Sequence, residues 1–334
     1  IYSIFIYLTI NNILIMEFLM GISFIFPGQG SQKVGMGKEL FDAFPVAREV
    51  FEEVDDTLNI NLSKIIFQGT QDDLTLTVNA QPSLMAVSVA VVRVLESFSG
   101  KSLYELGDFV AGHSLGEYSA LVSASAITLS DAAKLLRLRG VAMQNAVPIN
   151  KGGMAAIIGS ELSIVKKLIR ESIKYDEVLE IANDNAPGQV VISGHDEAVE
   201  RAIENSKNIG IKRALKLTVS APFHCSLMQP ASEEMRHHLN NLKINTPKII
   251  LCNNFDAAFI TDPEKIKDSL INQITGRVRW KESVENMNKL GKVEKFIELG
   301  SGSVLSGLVR RIDKNLDGIA LESISDIENF ARNV

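Results

Sequence analysis

The sequence predicts an α/β protein in which a small β-α-β-β-α-β unit is inserted into a larger α/β domain. Three observations carry this. A short apolar strand runs directly into Gly112-His113-Ser114-Leu115-Gly116 and on into a helix of small residues. Between about residues 152 and 218 the pattern reads strand, helix, strand, strand, helix, strand. Strand and helix patterns then resume, so the unit interrupts a larger fold instead of ending one.

Residues 1–19 stand apart. Their apolar run is broken by Asn11, Asn12 and Glu17, and the first basic residue is Lys33, so neither a membrane span nor a secretory signal is well formed. They are expected to be a non-native or untidy extension outside the fold. The larger domain takes residues 20–150 and 220–334, and the small unit 151–219. In the larger domain, residues 22–26 are a buried strand entering a turn at Pro27-Gly28, and residues 38–58 a helix. A further helix starts at Gln81-Pro82, where proline suits a first turn, and runs on through apolar residues 84–95. Residues 108–111 form a strand, 117–126 a helix, and Ser130 caps a helix over 131–146.

In the small unit the strands are 154–159, 178–183, 189–193 and 211–217. The helices are 162–173 and 197–208, and Asn185-Ala186-Pro187-Gly188 makes the turn. That order is the split βαβ arrangement of a ferredoxin-like unit. Strands at 249–253 and 296–299 and a helix over 304–312 return the chain to the larger domain.

Composition narrows the function classes. Of 334 residues, 46% are apolar and 22% charged, which are ordinary globular values. The net charge of −6 gives no electrostatic case for nucleic-acid binding. Cys225 and Cys252 form neither a disulfide framework nor a metal-binding spacing. A reducing compartment fits, so a cytoplasmic monomer with no metal, nucleic-acid or membrane partner is expected. Cys225 adjoins a histidine and is a candidate thiol, although a small buried apolar side chain explains it as well.

Gly-x-Ser-x-Gly between a strand and a helix is the pattern of a nucleophile elbow. The turn is so tight that its serine takes a strained conformation with the hydroxyl exposed, and glycines two residues to either side remove side chains that would clash. The helix that follows aims its first amides at the serine, where they stabilise an oxyanion. A nucleophilic Ser114 needs a base. His237 and His238 belong to a polar helix, and His195 to a turn at a helix start. His113 adjoins the serine in a turn where neighbouring side chains diverge. His224 lies on a loop after the small unit closes, where the chain re-entering the larger domain could bring it to Ser114.

Two further features bear on chemistry. Arg139 shares its helical face with Leu135, Leu136, Ala142 and Met143. It is either a snorkelling or ion-paired side chain or a guanidinium fork held for a substrate carboxylate. Pro27-Gly28-Gln29-Gly30-Ser31-Gln32 follows the first strand but fails both phosphate-loop patterns, with Lys33 and Met36 where Gly and Lys are needed. It remains a backbone turn at the strand's C-terminal end, where α/β sheets place ligands, and Gln29 is the natural source of a second oxyanion amide.

Together these segments resemble the malonyl-CoA:acyl carrier protein transacylases of bacterial type II fatty acid synthesis. The resemblance runs from about residue 22 to 325. It rests on Phe26-Pro27-Gly28-Gln29-Gly30-Ser31-Gln32, on the motif from Gly112 to Ala120, on Arg139-Gly140, on the segment from Asn183 to Gly194, and on Ala221-Pro222-Phe223-His224. It implies a hydrolase-like α/β domain with a ferredoxin-like insertion. Ser114 would be the acylated nucleophile and His224 its base, held by the Gln273 backbone carbonyl instead of an acid. The Gln29 and Leu115 amides would form the oxyanion hole, Arg139 would take the malonyl carboxylate, and Phe223 would favour malonyl over branched acyl groups. Malonyl-CoA and acyl carrier protein would be the partners, with the CoA thioester as substrate and no bound cofactor. Arg277, where the family usually has proline, and Gly300-Ser301-Gly302, where it usually reads Gly-Pro-Gly, depart from the pattern. Arg277, Arg279 and Lys281, or Arg310, Arg311 and Lys314, are candidate patches for an acidic carrier protein. The alternatives are a serine esterase or thioesterase, which would bring a catalytic Asp or Glu, and a non-catalytic carrier-binding module.

Overall fold

The computed structural model describes residues 8–10, 13–15, 21–148 and 150–334. Most of residues 1–19, expected to be an extension, lies outside the described residues. The exceptions are the strands β1 (Leu8–Ile10) and β2 (Ile13–Ile15), which pair antiparallel with each other.

The larger domain is organised around a six-stranded sheet. Its strands are β3 (Ile22–Phe26), β4 (Phe109–Gly112), β9 (Ile250–Cys252), β10 (Phe259–Ile260), β11 (Lys295–Leu299) and β12 (Asp317–Leu321), in the order β10-β9-β4-β3-β11-β12. All neighbours are parallel except β10 with β9. Alternate side chains explain why β3 and β4 are wholly buried. Phe24, Phe26 and Val110 enter one apolar cluster, while Ile25, Phe109 and Ala111 enter another. A parallel strand covered on both faces has no reason to alternate polar and apolar residues.

The small unit is a four-stranded antiparallel sheet of β5 (Gly152–Ile158), β6 (Leu179–Ala186), β7 (Gln189–His195) and β8 (Arg213–Lys216), in the order β6-β7-β5-β8. Helices Leu162–Ser172 and Asp196–Ser206 follow β5 and β7, so the chain order is β-α-β-β-α-β. Ala155, Ile157, Val190 and Ile192 pack with Val165, Leu168, Val199 and Ala202 of those helices. Met154, Ala182 and Val191, of opposite parity, join the core of the larger domain. The sheet's second face therefore looks onto the larger domain, and a cavity lies between them.

Several element boundaries differ from expectation, each for a physical reason. The helix expected at Gln81-Pro82 begins at Thr77 and runs to Ser99, with Pro82 inside it. Proline cannot donate to the carbonyl four residues back. Here Arg137 Nη1 donates to that carbonyl, Val78 O, at 3.2 Å and to Asn79 Oδ1 at 2.6 Å. This helix is apolar enough to cross a membrane by composition, but 89% of its apolar window is buried inside the protein. The helix expected over residues 38–58 is two, Lys38–Ala43 and Pro45–Leu58, because the residue before proline is driven to extended backbone and Phe44 adopts it. The next expected cap also moves. Thr128 accepts the Asp131 amide at 3.0 Å for the Leu129–Asn145 helix, while Ser130 bonds Glu53.

Candidate active site

Ser114 lies between β4 and the Gly116–Ser123 helix with a φ of 53°, in the left-handed region that side-chain-bearing residues rarely adopt. Contact explains its glycines. A Cβ at Gly112 would collide with the Gly116 backbone, and one at Gly116 with the Phe26 carbonyl oxygen at the end of β3. The Pro27-Gly28-Gln29 loop is pressed on the same turn: a Cβ at Gly28 would stand 2.7 Å from the His113 carbonyl oxygen. Asn254, after β9, clamps the other side. Its side-chain oxygen accepts the Ser114 amide at 2.7 Å, and its side-chain NH2 donates to Gly112 O at 2.6 Å.

His224 also has positive φ, at 60°, so strained backbone occurs at both residues of the pair. Its Nε2 is 2.8 Å from Ser114 Oγ, and its Nδ1 is 2.8 Å from Gln273 O. A carbonyl oxygen only accepts, so Nδ1 carries the ring proton and Nε2 is the bare acceptor facing the serine hydroxyl. Burial pushes the imidazole down to about 3, with the Arg139 charge adding to the fall and the Gln273 carbonyl opposing it. The ring is neutral at ordinary pH. Among the described residues no carboxylate takes the place of the Gln273 carbonyl.

Arg139 is fully buried, 1% exposed, in a site of neutral acceptors. Nη1 donates to Gln81 Oε1 at 2.7 Å; Nη2 donates to Gln273 Oε1 at 2.9 Å and to Ser114 Oγ at 3.1 Å. Its Nε has no partner among the described residues. Gly140 brings the helix this close, since a Cβ there would lie 2.7 Å from Val78 Cα. Arg139 makes no direct ion pair among the described residues, and its fork reaches the serine hydroxyl.

Ser114, His224, Arg139, Gln29 and Phe223 line one cavity of about 380 Å³, together with Met154, Asn183, Asn185 and Val191 from the small sheet. Leu115 is buried beneath the turn. No hydrogen bond among the described residues takes the backbone amide of Gln29 or of Leu115, while the Gln29 side chain donates to Thr77 Oγ1 at 3.1 Å. Both backbone donors are thus without a partner among the described residues.

The other histidines stand elsewhere. His113 donates from Nε2 to Asn185 Oδ1 at 2.8 Å, and burial pushes its pKa down. His195 Nδ1 accepts the Val178 amide at 2.8 Å. Cys225 and Cys252 are buried, with thiols pushed up by burial to about 11 and about 12, too high for a thiolate nucleophile. Among the described residues no group of three His, Cys, Asp or Glu side chains could hold a metal ion. At the departures noted in the sequence, Arg277 pairs with Glu282 at 2.7 Å, and the Ser301 hydroxyl donates to Ser31 O at 2.9 Å, tying down the glycine-rich loop.

Sequence reasoning missed Gln81, Glu117 and Asn254. Glu117 is completely buried; its Oε2 accepts Gln273 Nε2 at 2.7 Å and the Asn254 amide at 3.1 Å. A charged residue directly after Gly116, in an otherwise small and apolar helix, was the available signal. For Gln81 and Asn254 the signal was slight: a polar residue before a helical proline, and a polar pair ending a strand.

A family model described as the acyl transferase domain matches residues 23–319. The malonyl CoA-acyl carrier protein transacylase of Bacillus subtilis (strain 168) is 44% identical over 307 residues, 92% of this chain and 95% of that protein. That of Escherichia coli (strain K12) is 43% identical over 303 residues, 91% and 96% of the two chains. Among solved structures, the acyl-carrier-protein-S-malonyltransferase from Bartonella henselae superposes with a TM-score of 0.91 at 49% identity, covering 94% of this chain and 99% of its own. A malonyl-transacylase in complex with its type II PKS acyl-carrier protein gives 0.89 at 40% identity, covering 94% and 99%. With a serine elbow, a histidine held by a carbonyl and a buried arginine in one cavity, and with these likenesses along nearly its whole length, the chain belongs to the acyl transferase domain family and, within it, to the malonyl CoA-acyl carrier protein transacylases.

Proposed function

We propose that this protein moves a malonyl group from malonyl-CoA to the phosphopantetheine thiol of acyl carrier protein, through a malonyl ester on Ser114, and so supplies fatty acid elongation. The observation that carries the reading is the convergence of Arg139 and His224 on one hydroxyl, with 3.1 Å and 2.8 Å contacts. A plain esterase has no need of a buried cation beside its nucleophile, and the His224 partner is a carbonyl where such enzymes bring an acid.

In the first half-reaction the substrate carboxylate takes the Arg139 fork. The Ser114 proton moves to His224 Nε2 as Oγ attacks the thioester carbon, and the Gln29 and Leu115 amides receive the oxyanion. The C–S bond breaks, and the imidazolium returns its proton to the departing CoA thiolate. In the second half-reaction the carrier thiol gives its proton to His224 and attacks the ester carbonyl. The Oγ–C bond breaks, and the serine regains its proton. Neither half-reaction draws on a metal or bound cofactor. Phe223, 8% exposed in the cavity wall, would limit branching on the acyl group.

Carrier docking favours the second basic patch. Arg277 and Arg279 already pair with Glu282, and Lys281 lies 3.9 Å from Glu285. Arg311 instead donates to the side chain of Gln189, which lines the cavity, while its neighbour Arg310 donates to Gly318 O and Lys314 follows the helix end. We infer a cytoplasmic monomer: the two cysteines are buried and free, and one chain supplies every group at the site.

Incubating the enzyme with radiolabelled malonyl-CoA tests the reading. Ser114→Ala should abolish the labelled enzyme, and label persisting on another residue would refute the nucleophile assignment. Arg139→Ala should lose malonyl transfer while keeping some transfer of neutral acyl groups; equal loss of both would make Arg139 structural.

A further inference from the structure

Arg139 carries a buried charge without an ion-pair partner among the described residues, and such a charge needs compensation. The side-chain amide of Gln273 provides a route to one. Its oxygen accepts from Arg139 Nη2 at 2.9 Å, and its nitrogen donates to Glu117 Oε2 at 2.7 Å. The amide is thus held between a cation and a carboxylate, each polarising it in the same sense. Glu117 is 0% exposed, and its Oε1 has no partner among the described residues.

We propose that Glu117, acting through Gln273, is the counter-ion of Arg139 and sets how tightly the site holds a substrate carboxylate. Glu117 is a positioning residue here, since it touches neither substrate nor nucleophile. The inference rests on the reading of Arg139 as the carboxylate-binding group. When Glu117 is ionised, the substrate carboxylate competes with it for one guanidinium. When Glu117 is protonated, through the unpartnered Oε1, the cation is fully available. Burial pushes the Glu117 carboxyl up to about 7, against the bonds from Gln273 and Asn254 and the Arg139 charge, so both forms occur near neutrality. The other groups facing it are Asp256, Tyr118 and Cys252. Burial holds Tyr118 and Cys252 protonated, each pushed up to about 12.

The test uses the full chain carrying Ser114→Ala, which forms no acyl-enzyme, and measures the Kd of malonyl-CoA and acetyl-CoA by calorimetry. Adding Glu117→Gln keeps an acceptor for Gln273 and Asn254 but deletes the charge. At pH 8 the malonyl-CoA Kd should fall about tenfold, with the acetyl-CoA Kd moving less than about twofold. A malonyl-CoA Kd that is unchanged or raised, or that moves together with the acetyl-CoA value, overturns the proposal, because a merely structural role weakens both ligands. Should Glu117→Gln not fold, the parent protein decides. Its ratio of malonyl- to acetyl-CoA Kd should rise between pH 6 and pH 8 as Glu117 ionises, ionisations of the CoA moiety cancelling in the ratio. A flat ratio overturns the idea. Arg139→Ala in the same background separates the two readings: if the malonyl preference survives it, Arg139 does not bind the carboxylate and both fall; if the preference is lost while Glu117→Gln changes nothing, only the counter-ion role falls.

Discussion

Gly116→Ala is the sharpest test of how the serine turn is built. The added Cβ would lie 2.9 Å from the Pro27 carbonyl oxygen and closer still to that of Phe26, where ordinary contacts begin at 3.4 Å. Both obstacles are backbone atoms, so no side-chain rotation relieves the clash. The loop bearing Gln29 or the turn bearing Ser114 must give way by roughly 1 Å. Overpacking of this kind costs about 1–3 kcal/mol. With an unfolding entropy of about 0.7 kcal/mol/K for a chain this size, Tm falls by only about 1–4 °C. Activity should suffer more, because a displacement of about 1 Å in a reacting group costs about 100-fold. The assay is kcat/KM for malonyl transfer alongside thermal unfolding. Gly307→Ala is the internal control: it sits in the Val304–Ile312 helix with nothing within 4 Å of the new Cβ, so it should stabilise by about 0.5–1 kcal/mol and leave activity intact. A Gly116→Ala enzyme with wild-type kcat/KM would refute the claim that close approach of the Pro27–Gln29 loop organises the site.

Two other outcomes follow from the same geometry. Arg137→Ala strips the donor from Val78 O, which Pro82 leaves without a helical partner, and should cost about 1–2 kcal/mol, read as a lowered Tm. For His224, the folded-state pKa of about 3 lies below the ordinary imidazole value of 6.5, so the unfolded chain binds more protons between those values. Its contribution to stability is therefore full above pH 6.5 and is lost as pH falls toward 3, by up to about 1.4 kcal/mol per pH unit. Replacing His224 with Gln should flatten the acid side of the Tm profile, and an unchanged slope would refute a buried neutral imidazole.

How much of this was legible in the sequence varied with the range of the interaction. The elbow could be read because its constraints are local: Gly112, Ser114 and Gly116 are set by the conformation of five consecutive residues. The small unit could be read because strand and helix periodicities, and the turn at Pro187-Gly188, are also local. Pro82 misled for the complementary reason. Whether a proline starts a helix or sits inside it depends on who satisfies the carbonyl four residues back, and that partner, Arg137, is 55 positions away along the chain and on another helix.

The sequence by itself determined the fold class, the serine turn and the family, because a strained turn and a strand-helix order leave their marks on neighbouring residues. Only the tertiary structure decided which groups the buried charges meet. From its helical face alone Arg139 was more readily a snorkelling or ion-paired side chain than a binding group, the resemblance alone gave it the substrate carboxylate, and Glu117 carried no assignment. Folding brings residues 81, 114, 117, 139, 224, 254 and 273 into one desolvated network, where each polar group must find its partner across the fold. Those pairings leave no periodicity in the chain, since burial and hydrogen-bond satisfaction are properties of the packed molecule.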